Sequence, residues 1–103
     1  MKYERILYGE ILLDEEILRK NKIYSNIELE YYKIKSNKKD KLENEMYGIE
    51  IVKKEYIDNE VKEEKETIET LTKSEELVEK VLEKLKNNEV TPTSLEYIIA
   101  DWF

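Results

Sequence analysis

Val90-Thr-Pro-Thr-Ser-Leu-Glu-Tyr-Ile-Ile-Ala-Asp-Trp-Phe103 closes the chain, and its local signals agree on one helix. Thr91 is of the residue type whose hydroxyl accepts from a first-turn amide. Pro92 then falls at the first helical position, where a missing N–H costs nothing. Val90 before the cap and Leu95 within the helix have the spacing of a hydrophobic staple. Leu95, Ile98, Ile99, Trp102 and Phe103 recur at steps of three and four, which makes one apolar stripe. Such a stripe needs a layer to cover. Trp102 and Phe103 are therefore expected to lock this helix onto a core, the alternative being an aromatic tail set into a partner's pocket.

Upstream, Leu77, Val78, Val81, Leu82 and Leu85 form a second helical stripe that ends at Asn87-Asn88. Glu75 and Glu76 near its start and Lys84 and Lys86 near its end suit the helix dipole. Thr72 and Glu75 have the spacing of a capping box. Before that helix the period changes to two. Met46 to Tyr56 alternates Tyr47, Ile49 and Ile51 with Gly48, Glu50 and Lys54, and Ile23 to Lys35 alternates Ile27, Leu29 and Tyr31 with Glu28 and Glu30. A polar connection, Ser36 to Lys41, follows the earlier of these strands and predicts an antiparallel pair. Symmetry about residue 40 would set Tyr31 against Ile49, Leu29 against Ile51 and Gly48 against Tyr32, where a ring can cover a glycine's gap.

Tyr3 to Leu13 reads as a first strand, followed by a short helix capped at Asp14 and closed by Arg19-Lys20-Asn21. Asp58-Asn59 is turn chemistry. Glu60 to Glu66 has almost nothing to bury and reads as a charged edge strand or loose loop, tightening into a strand at Thr67–Leu71. Strands precede helices, so the fold class is α+β: one domain over residues 1–103, with an antiparallel meander of three to four strands and two C-terminal helices packed on one face.

Composition removes much chemistry. Histidine and cysteine are both absent, so neither a neutral-pH acid–base group nor a thiolate is available. There are only two glycines, Gly9 and Gly48, too few for a phosphate-cradling loop. Serines 25, 36, 74 and 94 lie in turn or cap contexts without a nucleophile elbow. The expectation is no enzyme, no cofactor and no metal site. No apolar run approaches a membrane span and no leader opens the chain, which points to the cytoplasm and away from membranes. Ile, Leu, Val and Phe supply 29 of 103 residues, enough to fold despite 42% charged residues.

The net charge of −7 is uneven, at +1 over residues 1–44 and −8 over residues 45–103. That field repels nucleic acid, and the basic group Lys33, Lys35, Lys38, Lys39 and Lys41 reads as a solvated hairpin loop. Tyr31 and Tyr47 share parity with core positions. Tyr32, Ile34, Val52 and Tyr56 share the parity of the polar face and form a candidate apolar–aromatic contact patch.

At Tyr47-Gly-Ile-Glu-Ile51 and at Val90-Thr-Pro92 with Leu95, Ile98, Ile99 and Asp101, the chain resembles a family of short uncharacterised proteins from clostridia and related spore-forming bacteria. The likeness spans roughly residues 45–103 and implies the fold, with no assigned activity to carry over. The leading functional expectation is a non-enzymatic protein acting through contact with a protein partner or a second copy. The alternatives are an acidic decoy of a nucleic-acid-binding protein, of phage type, and a carboxylate-based metal-dependent hydrolase.

Overall fold

The computed structural model describes residues 2–13, 26–37, 46–57 and 60–102. Strands β1 (Lys2–Leu13), β2 (Asn26–Asn37), β3 (Met46–Ile57) and β4 (Glu60–Thr72) form one antiparallel sheet in the order β1-β2-β3-β4. Helix α1 (Glu75–Asn87), a 3-10 turn (Pro92–Ser94) and helix α2 (Leu95–Trp102) follow. The α+β meander with two C-terminal helices is thus the architecture. The short helix expected from Asp14, the lysines of the 38–41 connection, the Asp58-Asn59 turn and Phe103 lie outside the described residues.

The core forms where the sheet's period of two meets the helices' period of 3.6. Leu29 and Tyr31 of β2 and Tyr47, Ile49 and Ile51 of β3 turn one face toward Val78, Val81, Leu82 and Leu85 of α1 and toward Val90, Leu95 and Ile99. Tyr8, Ile11 and Leu13 of β1, Ile68 and Leu71 of β4, and Trp102 close its margins. The Tyr31 hydroxyl donates to the Val90 carbonyl at 2.9 Å, tying the centre of the sheet to the start of the C-terminal segment. Burial pushes this phenol well above its ordinary range. Trp102 is half-buried, with the Lys84 ammonium 5.1 Å from its ring centroid, so the helix is locked down rather than extended as a tail.

The β2–β3 register differs from the expected one by two residues. Tyr31 faces Ile51, Leu29 faces Lys53, and Gly48 faces Ile34 rather than Tyr32. A shift of two preserves every face, which is why the buried set was readable while the pairing was not. Gly48 covers no gap left for a ring. Between the Tyr47–Thr72 and Ile49–Ile68 pairs, Glu69, Thr70 and Leu71 stand against Gly48 alone. A Cβ built there would meet the Ile68 carbonyl oxygen at 2.0 Å and that of Glu69 at 2.4 Å. Glycine is required because the bulged β4 backbone crosses it.

Two caps differ from expectation, and the ending of α1 at Asn87-Asn88 is as expected. Ser74, not Thr72, caps α1 by accepting from the Leu77 amide at 3.1 Å, while the Thr72 hydroxyl accepts from the Ser74 amide. Helix α1 begins at Glu75, so the cap position falls on Ser74, and Thr72 ends β4 two residues earlier. At the far end Asn88 closes the helix and Glu89 takes φ 51°, with Glu89 N–H to the Lys86 carbonyl and Val90 N–H to the Leu85 carbonyl. That is a Schellman ending with glutamate in the left-handed position. Thr91 precedes the 3-10 turn without capping it; its hydroxyl lies 3.2 Å from that of Thr93. Pro92 does stand at the first position of the turn, and Val90 and Leu95 are both buried.

Candidate contact surfaces

Two surfaces of the sheet decide what the molecule can do: the face turned away from α1, and the edges. Tyr32, Ile34, Val52 and Tyr56 do fall on that outer face by strand parity. They do not form an exposed apolar patch. Ile34 is 0% and Val52 2% exposed. Ile34 pairs with Gly48, where the β4 backbone crosses, and Val52 stands between Glu30 and Lys65 in the register. Tyr32 is half-buried and Tyr56 exposed, each with its hydroxyl engaged.

Instead, the outer face carries a polar network. Glu50 is only 1% exposed. One of its oxygens accepts from the Arg5 guanidinium at 2.9 Å and the other from the Thr67 hydroxyl at 2.6 Å. The Arg5 guanidinium also lies over the Tyr32 ring, 4.0 Å from its centroid. The Tyr32 hydroxyl donates to Glu30 at 2.9 Å, and the Lys54 ammonium sits 3.4 Å from that carboxylate. Burial alone would raise the Glu30 carboxyl, but the Tyr32 hydroxyl and Lys54 together hold it below its ordinary value. Burial, reinforced by Glu30, pushes the Tyr32 phenol up. The ion pair of Arg5 with Glu50 joins residues 45 positions apart, and nothing in either local sequence announces it.

Glu10, Glu28 and Glu30 bring carboxylate oxygens within 4.8 Å of one another. Three acids are a cation ligand set by chemistry. Here, however, Lys54 supplies a positive charge to Glu30, and the Tyr32 and Tyr56 hydroxyls face Glu30 and Glu28. The set is also open on the Glu10 side, where that residue is exposed. Nothing in this group activates a nucleophile.

The basic group is divided by the fold. Lys33 and Lys35 lie within β2 rather than in a loop. Lys33 points to α1, where its ammonium contacts Glu75 at 2.8 Å and Glu79 at 2.9 Å. The bond to Glu75 raises the Lys33 ammonium and correspondingly lowers the Glu75 carboxyl.

The edges are unlike each other. β4 displays Glu60, Lys62, Glu63, Glu64 and Lys65 on an exposed run, and its other end is bound down by the bulge at Gly48. β1 exposes Tyr3, Ile6, Leu7 and Leu12, the last at 70%. Among the described residues no strand pairs with its outer side. Sequence reading found this strand but not its position at the edge; the usable signal was that Ile6, Leu7, Ile11, Leu12 and Leu13 lack the charge interleaving of β4. A smaller open recess lies where α1 meets α2, lined by Lys84, Val90, Tyr97, Ile98, Asp101 and Trp102.

A small α+β domain with a hydrogen-bonded polar network on its outer face and one apolar edge is the class that fold and surface define. The chain belongs to a family of unknown function, DUF6514, whose model matches residues 14–103. No curated protein and no solved structure matches it. β1 lies outside the family match. Among the described residues no helix is long and apolar enough to cross a membrane.

Proposed function

We propose that the chain is a small non-enzymatic protein of the bacterial cytoplasm that acts by contacting another polypeptide, with β1 as the contact edge. One observation carries this reading: of the two edges of a single sheet, one is covered with charge and the other presents apolar side chains beside a backbone that no other strand pairs with among the described residues. An edge of the second kind is a template for strand addition, in which main-chain hydrogen bonds give affinity and alternate side chains give selectivity. The absence of His and Cys and the occupied state of the outer-face acids support a binding role over a catalytic one. The lack of cysteine and the likeness to short proteins of spore-forming bacteria support the cytoplasm.

A photoreactive phenylalanine analogue at Leu12, compared with the same residue at Val61 on β4, tests this in living cells. Val61 is also exposed, so the two sites differ in edge and not in accessibility. Covalent adducts from position 12 and none from position 61 are expected. Adducts from neither site, or equally from both, would remove the reading.

A further inference from the structure

We propose that the polypeptide taken up by β1 is a second copy of this chain, antiparallel across a two-fold axis near Leu7 and Tyr8, with Arg5 of each copy against Glu10 of the other. The inference rests on β1 being the contact edge and names its occupant.

The argument begins with the irregularity in β1. Pairing with β2 runs in step from Lys2 to Leu7, then skips Tyr8 and resumes at Gly9. The skipped residue changes parity. Tyr3, Arg5 and Leu7 lie on the outer face before it, opposite Ser36, Ile34 and Tyr32; Glu10 and Leu12 lie on that same face after it, opposite Glu30 and Glu28. In an antiparallel pair, directly opposed residues share a face. An unbroken strand pairing with itself across a dyad between two residues would set outer-face residues against helix-face ones. The extra residue cures this on either side of the central Leu7–Tyr8 step, where Tyr8 itself turns to the helices. About a dyad between Leu7 and Tyr8, Tyr3 meets Leu12 of the second copy and Arg5 meets Glu10, outer face to outer face. Glu4 then meets Ile11 and Ile6 meets Gly9, helix face to helix face.

Charge chooses the same pairing. Glu10 and Glu30 are opposed across the β1–β2 ladder, and Glu28 joins them within 4.8 Å. Like charges so placed repel. Lys54 answers Glu30 from the β3 side, so among the described residues the uncompensated side of the group is the one facing out past β1. A strand added there is favoured if it brings a cation opposite Glu10, and in a second copy that cation is Arg5. Arg5 uses one guanidinium nitrogen on Glu50 and keeps 43% of its side chain exposed, so donors remain. Tyr3 and Leu12, both exposed, cover one another twice over. The four formal charges of β1, Lys2 and Arg5 with Glu4 and Glu10, cancel, so neutral strip meets neutral strip despite the chain's −7.

The chain has no cysteine, which permits a clean register test. Opposed residues of an antiparallel pair lie within disulfide reach. The double variant Tyr3→Cys with Leu12→Cys should form a covalent dimer on mild oxidation, whereas either single variant should stay monomeric under the same treatment. By light scattering, the wild type should show twice 12.5 kDa at high concentration. Glu10→Arg, which sets arginine against arginine, and Leu12→Arg should each return it to 12.5 kDa with an unchanged circular dichroism spectrum. A wild type that stays monomeric, a dimer indifferent to both substitutions, or disulfides from the single variants as readily as from the double one would overturn the proposal. A monomer that still gives adducts of another mass from position 12 and none from position 61 overturns self-pairing alone; the β1 reading fails when adducts form at neither position or equally at both.

Discussion

β1 and β4 belong to the same sheet, have nearly the same length and face solvent at opposite ends of the strand order, yet they are built to different rules. β4 carries glutamate or lysine at every position of Glu60–Glu66 except Val61, so an incoming strand would desolvate charge at almost every position. Its far end is fastened by a bulge whose backbone passes over Gly48. β1 has its charges at Lys2, Glu4, Arg5 and Glu10 and leaves Ile6, Leu7 and Leu12 to solvent. Its bulge, at Tyr8, turns residues to new faces, and the hydroxyl of the bulged residue donates to Glu83 of α1 at 2.6 Å while the outer side of the strand stays open among the described residues. The lesson is that a bulge on an edge can close it or aim it, and the surrounding charge tells which.

Each fastening can be cut separately. Gly48→Ala should have the largest effect, because its Cβ has no room beside the Ile68 and Glu69 carbonyls and backbone must move. A loss of about 3 kcal/mol or more is expected in urea unfolding, with β4 loosened first. Wild-type stability in that variant would show that β4 is not held by the crossing.

Arg5→Ala cuts the corresponding tie of β1. It leaves the buried Glu50 carboxylate with Thr67 alone. A loss of about 2 kcal/mol is expected, below the roughly 3–5 of a wholly enclosed pair because water reaches the arginine. Glu50→Gln with Arg5→Ala should recover part of it. A double variant no more stable than Arg5→Ala alone would show that the cost is packing on Tyr32 and not charge.

Acid should give the smallest change. Glu30 has a folded-state value below its ordinary 4.5, so it contributes stability above that pH and the contribution disappears as pH falls through the lowered value. Glu75, lowered by Lys33, acts in the same direction. Urea midpoints measured at neutral pH and below the carboxylate range should fall in that order, and a rise on acidification would reverse the assigned sign.

Much of this was written in local sequence. The alternation at Ile27–Tyr31 and Tyr47–Ile51 identified the buried faces, and the stripe from Val78 to Leu85 identified the covering helix. What escaped depends on contacts between distant residues. The β2–β3 register is indifferent to a shift of two as far as faces are concerned, so Gly48 was placed opposite the wrong residue. The patch at Ile34 and Val52 was legible as parity but not as burial, which is decided by what neighbouring strands lay beside each residue. Glu50 reads as one more solvated acid until Arg5 and Thr67 are brought to it from two other strands. The exposed edge was hidden for the same reason, since only the strand order makes β1 terminal.

The most direct measurement is amide hydrogen exchange across a concentration series, read over Tyr3–Leu13 and Glu60–Glu66 in the same sample. Protection that rises with concentration in β1, while β4 exchanges at a constant rate, is the predicted result. Concentration-dependent protection in β4 instead, or in neither strand, would contradict the pairing of two copies through β1.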